Sequence, residues 1–514
     1  MNCAASVNVT DSHRKQFTLE HDRALANTEK TVVLEFRTRR RAICWIAVTA
    51  LLHGADALAQ TSSLPPPPQE AAPESHPPTK AASADAKKTD AKKKKKKTKK
   101  KGASGDSETS EKGSETSETK AKPPKHPSWS PVPAIKIDFK ARLETEIRSA
   151  TPALGLDDTQ VAWQDQRVGI EGTAFKRVSF EISRELSDDF EAAHDLSDKS
   201  AWKDTYVDVR VTRALNLEAG RFKLPFGREE TTGETNLDFV HRSFAARVLS
   251  PGRDVGIMAH GRLFDRRLRY EAGYFTRDGD NGRTTQTQGG RDALVARLEV
   301  APFASLANHA LGSLEVAAAV ASSQVDNRLG LRGRTVLGDG IFFDRVYVNG
   351  QRRRIGVDAA WEKGPGSISA EYITVSDERA DMGFDGDDLP NVGAKAWYVA
   401  GTWALTGERK HGRLEPRHDL LRGGIGAVEL AARVEELRFD AATYPGSAFG
   451  FPTPAALSAN ADHVMTLGIN WYVNHYVKLQ GNLVREWIDD PERSPAPAAG
   501  GRFLSPVLLL QFHF

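Results

Sequence analysis

From Ile135 onward the chain repeatedly alternates apolar and polar residues at every second position. Between Ile135 and Ile147 the odd positions are apolar or small, and the even positions from Lys136 to Glu146 are all charged. Successive side chains of a strand point to opposite faces, so this stretch predicts a strand with one apolar and one charged face. A soluble sandwich permits the same alternation with its apolar face in the core.

The alternation recurs along the rest of the chain, too often for a small sandwich. Further examples begin at Val178, Val207, Leu268, Leu294, Ile355 and Val428. We count about 16 such strands, an even number that fits a closed bacterial barrel. The predicted fold is therefore all-β, a transmembrane antiparallel β-barrel over residues 130–514.

Connection lengths support the same fold. Tight turns are predicted near Phe175, Ala214, Asp265 and Gly364, and long gaps separate them, as when periplasmic turns alternate with extracellular loops. Residues 302–310 and 406–423 are longer than ideal turns. The long gaps are 186–202, 223–253, 277–290, 322–350, 376–393, 440–461 and 488–502.

Aromatic residues and the C-terminus add two membrane signals. Amphipathic rings favour the head-group level of a bilayer, which fits clusters near predicted strand ends. The chain finishes with Leu508, Leu510, Phe512 and Phe514 on one strand face, and a terminal Phe resembles the recognition signal of outer-membrane barrels. The aromatic clusters are Trp397, Tyr398 and Trp403, then Trp471, Tyr472 and Tyr476, then Trp487.

The N-terminal region carries a targeting segment. A basic stretch, Arg37–Arg41, precedes apolar residues 42–52 and the small residues around Ala59, the order of a secretory signal peptide. Residues 1–59 are predicted to be an N-terminal extension with this signal; a short buried helix is the alternative. Both cysteines, Cys3 and Cys44, precede the predicted cleavage site, so disulfides and thiolate metal sites are not expected.

Residues 60–129 are rich in Pro, then Lys, then Ser and Thr, which predicts a disordered periplasmic linker. The run Lys92–Lys97 could contact anionic lipid or cell-wall polymer, or simply be part of a solvated spacer. Over the whole chain, 71 Lys and Arg balance 68 Asp and Glu, which gives no reason to expect nucleic acid.

No motif of a known catalytic site stands out. Gly-x-Ser-x-Gly, His-Glu-x-x-His and phosphate-binding Gly-rich sequences are not found. His260, His463 and His513 do not have metal-ligand spacing. We therefore predict no enzyme, catalytic residue, metal or cofactor, with an outer-membrane hydrolase as the remaining alternative because triads are defined by geometry.

Several motifs together resemble the phosphate-selective porins, the porin O and P family. They are Gly220–Glu229, His241–Ser243, Leu405–Glu408, Ala427–Arg433 and Thr466–Tyr472, and the similarity spans roughly 135–514. The resemblance implies a sixteen-stranded homotrimeric barrel of the outer membrane. It also implies that the third extracellular loop folds inward and narrows the pore.

That loop corresponds to residues 223–253, which contain several cations. Clustered cations between low-dielectric walls raise the local anion concentration, and guanidinium matches phosphate geometry. Alternatively, these side chains pair with neighbouring acids and only tie the loop to the wall. The candidate anion-binding and constriction residues are Arg221, Lys223, Arg228, Arg242, Arg247 and Arg253.

Strand alternation also predicts pore-lining arginines that could form the arginine ladder implied by the resemblance. Because Leu217 and Ala219 share the parity of Arg221 and Lys223, a bulge near Gly220 is needed for those cations to face water. The predicted pore-lining residues are Arg142, Arg148, Arg177, Arg210, Arg297, Arg352, Arg354 and Arg433. The acids predicted on the same faces are Glu144, Glu146, Glu171, Glu181, Asp208, Glu299 and Glu429.

The sequence therefore predicts an outer-membrane porin through which small solutes, above all anions such as phosphate or polyphosphate, diffuse passively. Outer-membrane lipids are its other expected partners. A general non-specific porin is one alternative, favoured by the mixed lumen charge. A barrel that tethers the envelope through its Lys-rich periplasmic arm is another.

Overall fold

We describe a computed structural model of the chain. The described residues are 127–149, 160–186, 201–281, 290–306, 310–337, 340–383, 386–442, 457–495 and 501–514. The predicted extension, signal peptide and nearly all of the predicted linker lie outside these ranges. Within them, no helix is long and apolar enough to cross a membrane.

Nineteen β-strands are present among the described residues. In chain order they are β1 (Ser128–Val132), β2 (Ile135–Arg148), β3 (Gln160–Ala174), β4 (Val178–Glu185), β5 (Trp202–Arg210), β6 (Asn216–Lys223), β7 (Arg253–Leu263), β8 (Leu268–Arg277), β9 (Arg291–Val300), β10 (Glu315–Leu329), β11 (Gly333–Arg334), β12 (Ile341–Phe343), β13 (Tyr347–Lys363), β14 (Gly366–Arg379), β15 (Leu389–Ala404), β16 (Ala427–Phe439), β17 (Asn460–Tyr472), β18 (Val477–Ile488) and β19 (Arg502–His513).

Sixteen strands, β2–β10 and β13–β19, close an antiparallel barrel, which confirms the predicted fold. Each pairs with its neighbours in chain order, β10 pairs with β13, and β19 returns to β2 with Leu510 opposite Thr145. Ala141 and Phe514 exchange backbone hydrogen bonds of 3.0 and 3.1 Å, so the terminal residue helps to close the barrel. The short β1 folds back on β2, and β11 pairs with β12.

The outer surface is apolar, as alternation predicts for a wall in lipid. On β19, Leu508, Leu510 and Phe512 are 40%, 49% and 41% exposed, whereas Leu509 and Gln511 between them are buried. The aromatic prediction was wrong for two rings. Tyr398 and Tyr472 are buried, and the Tyr472 hydroxyl donates to Glu429 at 3.1 Å because both side chains share the inward face.

Short and long connections alternate around the barrel, as predicted. The short turns contain left-handed residues, such as Phe175 at φ 53° and Gly364 at φ 59°. Two connections at the short-turn end are longer than the other turns there, as predicted: residues 301–314 and 405–426. By the usual arrangement of bacterial barrels this end faces the periplasm.

The connection between β6 and β7, residues 224–252, is the constriction loop. It contains an α-turn at Arg228–Thr231, a 3-10 turn at Glu234–Asn236 and a π-turn at Ala245–Leu249. Its Phe226 and Phe244 are fully buried in the main apolar cluster of the described residues. The connection between β10 and β13 also folds inward, since its Phe343 stacks on Phe439 of β16 with ring centroids 4.1 Å apart.

Candidate pore constriction

The constriction loop lies against one side of the barrel, the inward faces of β10 and β13–β18, which we call the filled wall. Polar side chains of this wall bond to the loop backbone. Glu371 accepts from the Arg228 amide at 2.8 Å, Glu435 from the Phe244 amide at 2.7 Å, and the Asn482 amide oxygen from the Val240 amide at 2.8 Å. These bonds satisfy loop N–H groups that would otherwise be buried without partners.

Gly227 begins this anchored region in a backbone conformation that suits only glycine. Its φ is 78°, and a Cβ there would lie 2.5 Å from Ser250 Oγ and 3.0 Å from Glu371 Oε1. The sequence Pro-Phe-Gly at 225–227 therefore lets the chain turn from β6 into the lumen while Glu371 reaches the next two amides.

The opposite side, the inward faces of β2–β8, borders open space and is called the open wall. A cavity of about 810 Å³ lies toward the periplasmic end, and a second of about 270 Å³ lies toward the extracellular end. Only three residues line both cavities: Arg167, Glu234 and Arg253. They lie where the two cavities meet between the loop and the open wall, and this region is called the waist.

The open-wall side of the waist consists of guanidinium groups held by acids. Arg142 of β2 is the direct cross-strand neighbour of Arg167 of β3, and both bond to Asp165, Arg167 at 3.1 Å. The Arg253 guanidinium donates two hydrogen bonds, of 2.9 and 3.0 Å, to the Asp204 carboxylate. The Arg167 side chain is 14% exposed and lines both cavities, so its guanidinium borders the passage although its Nε is buried without a hydrogen-bond partner among the described residues.

The loop side of the waist presents Glu234. Arg242 bonds it at 2.8 Å, and the Lys223 ammonium lies 4.0 Å away. Burial disfavours its charged form, but Arg242, Lys223 and Arg142 outweigh burial and hold the pKa of Glu234 well below its usual range. The one acid shared by both cavities is therefore ionised and already neutralised by loop cations.

The predicted constriction residues separate into two groups. Lys223, Arg242 and Arg253 lie around the waist, although Lys223 Nζ donates to the carbonyls of Glu230 and Thr232 and is thus committed to holding the loop. The other three are held by structural partners away from the waist, although Arg247 also lines the cavity toward the extracellular end. Arg221 donates to Asp280 at 2.7 Å, Arg228 to Glu315 at 2.8 Å, and Arg247 to the Thr335 carbonyl at 2.9 Å.

The expected bulge at Gly220 is not found. Pairing of β6 with both neighbours runs without a register shift, with Gly220 at φ 135°. Phe222, not Arg221, continues the inward series and contacts Phe275 with ring centroids 5.3 Å apart. Lys223 reaches the lumen because it is the last residue of the strand, where the chain turns inward.

Of the predicted pore-lining arginines, only Arg142 lines a described cavity. Most others face inward but are bound by acids or loop carbonyls. Arg177 and Arg210 lie exposed at the periplasmic ends of β4 and β5, so neither is near the waist. The bound ones are Arg148 (Leu337 carbonyl, 3.1 Å), Arg297 (Asp358, 2.6 Å), Arg352 (Asp377, 2.6 Å), Arg354 (Asp278, 3.3 Å) and Arg433 (Glu435, 2.8 Å).

Sequence reasoning missed Arg167. A register shift places an extra residue, Gln164, in β3 between the partners of Glu144 and Thr145. Outward-facing residues of β3 therefore lie at odd positions before the shift, such as Trp163, and at even positions after it, such as Val168. This change interrupts the alternation of the sequence. A search that allowed one phase change per strand would have found it. Other basic residues that were missed line the cavity toward the periplasmic end, the lower cavity: Lys140, Arg269, His411, Arg413 and His475.

Within the described ranges, no group of three or more His, Cys, Asp or Glu side chains could hold a metal ion. The site that the structure builds is thus a charged passage between a loop and a wall. Its geometry suits transient contact with small hydrated ions.

Comparison with known proteins supports this assignment. Residues 156–514 match the family model of the phosphate-selective porin O and P. Porin O of Pseudomonas aeruginosa is 24% identical over 376 residues, which cover 68% of this chain and 80% of Porin O.

Solved porins resemble the fold at low sequence identity. An anion-selective porin from Comamonas acidovorans has a TM-score of 0.46 at 14% identity, with 74% of this chain and 100% of that chain covered. The outer-membrane channel DcaP of Acinetobacter baumannii has a TM-score of 0.47 at 11% identity, with 74% and 98% covered. Because the family model covers well over half of its length, the chain belongs to the phosphate-selective porin O and P family and is an outer-membrane porin.

Proposed function

We propose that this porin passes small anions in preference to cations and that oxyanions of the phosphate class bind transiently at its waist. Arg167 carries the proposal. It lines both cavities, it lies directly opposite Arg142 on the neighbouring strand, and its side chain is 14% exposed. A guanidinium that borders the passage attracts anions and can donate from its exposed edge to a phosphate oxygen as a solute passes. The family's description as phosphate-selective supports the same solute class.

Planar-bilayer recording of the purified porin tests this proposal. In a chloride salt gradient the reversal potential should indicate anion preference, and added phosphate should reduce the chloride current. Arg167→Gln should weaken both effects, whereas Arg177→Gln, a matched loss of one exposed arginine at the periplasmic rim, should leave them nearly unchanged. Cation preference in the wild-type porin would contradict the proposal. Lys223 is a poorer target because its Nζ holds the loop.

A general, weakly selective porin is the second candidate. Seven acids line the lower cavity, and four of them lie on the open wall away from the waist and oppose anion accumulation there: Glu171, Glu181, Glu218 and Glu271. If millimolar phosphate did not reduce the chloride current while the reversal potential showed weak anion preference, this candidate would replace the phosphate-selective one.

We also propose a homotrimer, following the family resemblance, and a periplasmic position for the Lys-rich arm. Unheated electrophoresis should show a band near three times the monomer mass, and a monomeric band under mild detergent would contradict the trimer. The arm can be tested separately: deletion of residues 60–126 should leave the conductance unchanged. A loss of envelope integrity in that deletion would favour the tethering role.

A further inference from the structure

The periplasmic connection between β15 and β16, residues 405–426, is folded against the barrel mouth. Its Lys410 amide donates to the Gly364 carbonyl at 2.8 Å, and its Gly412 amide donates to Glu362 at 3.2 Å. Leu414 is fully buried against Tyr472 in a small apolar cluster. The connection therefore has a defined position although its length exceeds that of the neighbouring turns.

One side chain of this connection reaches the constriction loop. The Lys410 side chain is 2% exposed, and its Nζ contacts Asp238 of the loop and donates to Glu429 of β16 at 2.7 Å. Asn470 of β17 binds the same two acidic residues, donating to the Asp238 carbonyl at 2.9 Å and to Glu429 at 3.1 Å. The loop and the periplasmic connection thus meet in one buried polar network.

A buried ammonium between two carboxylates couples the positions of all three groups. Movement of the loop away from Lys410 takes Asp238 from a buried cation that then keeps only Glu429, so this movement is opposed. The loop's other bonds, to the filled wall, come from the side, whereas Lys410 holds Asp238 from the periplasmic end. Lys478 of β18 adds a bond of 3.0 Å to the adjacent Leu237 carbonyl.

We propose that Lys410 is a positioning residue that fixes the constriction loop from the periplasmic side, so that the connection 405–426 helps to set the width of the waist. This inference rests on the porin assignment and not on the anion preference. It predicts that changes in a periplasmic connection alter the constriction, without any change in a residue of the waist itself.

The experiment uses Lys410→Met, which keeps side-chain length and removes the charge. The control is Arg417→Met in the same connection, because Arg417 is exposed and donates to the Gly407 carbonyl at 2.9 Å. Leu237→Cys reports loop position: Leu237 is buried, and the two natural cysteines precede the predicted mature start. A charged thiol reagent applied from the periplasmic side should modify Leu237→Cys severalfold faster with Lys410→Met, and the control should not change the rate.

Single-channel conductance gives a second readout, with more current substates expected for Lys410→Met and partial rescue by Lys410→Arg. Asp238→Asn should reproduce the effect, and the double variant should be no more severe than either single one. Should Lys410→Met fail to fold, Asp238→Asn carries the test alone. Unchanged thiol reactivity and conductance in a folded variant would overturn the proposal, whatever the reversal potential shows.

Discussion

The open wall and the filled wall use the same kinds of inward residues in different ways. On the filled wall, Glu371 and Glu435 accept hydrogen bonds from backbone amides of the constriction loop. On the open wall, Asp165 and Asp204 pair with Arg167 and Arg253, and these pairs border the passage. The comparison teaches that an inward charge contributes to the pore only where no loop covers it.

This distinction changes the interpretation of lumen charge. Glu429 shares the inward parity of the other acids, yet it is fully buried and bound by Lys410, Asn470 and Tyr472. Arg297 and Asp358 likewise form a two-bond pair of 2.6 and 2.9 Å inside the barrel. Field focusing at the waist is therefore determined by the open wall and the loop, not by the whole inner surface.

The largest effect should come from releasing the loop from the filled wall. Glu371→Leu combined with Glu435→Leu leaves the amides of Arg228, Glu229 and Phe244 without acceptors, and each orphaned buried group costs about 1–3 kcal/mol. Conductance in planar bilayers should rise severalfold as the loop leaves the lumen.

Glu378→Leu is the control for that release. Glu378 lies on the same strand as Glu371 but accepts from the Gln351 amide at 2.8 Å. A double variant whose conductance equals that of the control would show that the filled wall does not hold the loop.

A second, smaller effect should come from reversing charge at the waist. Arg167→Glu with Arg253→Glu should lower the anion-to-cation permeability ratio by on the order of tenfold, because a focused local potential changes ion concentration by about that factor or more. Reversal potentials measure the ratio. The same charge reversal at Arg177 and Arg210, which are exposed at the periplasmic ends of their strands, should change the permeability ratio much less. Equal changes would show that the waist does not determine ion selectivity.

Ionic strength should sharpen the comparison further. The screening length falls from about 10 Å at 0.1 M salt to about 3 Å at 1 M. Anion preference should therefore decline over that range, and the difference between wild type and Arg167→Gln should shrink with it. A preference that is independent of salt would indicate selection by size rather than by charge.

The smallest effect should come from the acids of the lower cavity. Glu171→Gln with Glu271→Gln removes two negative charges from the open wall below the waist. The anion preference should rise by no more than about twofold, since the charges of these acids lie below the waist and are screened by solvent. Glu492→Gln, an exposed acid of the β18–β19 connection that lines neither cavity, is the control. A fall in anion preference in the double variant would contradict the assignment.

Much of the fold could be predicted because a lipid-facing wall requires a pattern of residues that is visible within each strand. Every second residue of β2 and β19 must be apolar on the outside, so alternation identifies these strands without tertiary information. Alternation does not identify the inward residues where strand pairing is irregular. At Gln164 an extra residue changes which positions of β3 face inward, so Arg167 was not predicted to line the pore. Alternation also fails to separate Tyr398, which lies inward, from the outward Trp397 beside it.

The site was predictable only in part. The long, charged gap between two strands is visible in the sequence, and the family resemblance suggested that it folds inward. The structure places Lys223, Arg242 and Arg253 of that prediction beside the two cavities, and their role in anion passage stays a prediction. The sequence could not assign partners to Arg228 or Arg352, since those acids lie on strands distant in the chain.

The sequence by itself thus determined the barrel and its closing strand through periodicity and connection length, whereas the inward folding of the loop was implied only by the family resemblance. Only the tertiary structure decided which wall the loop covers, and therefore which inward charges border water. The physical reason is that a charge becomes part of the pore through what lies opposite it. At Glu435 that is a loop amide, whereas at Arg167 it is the open passage.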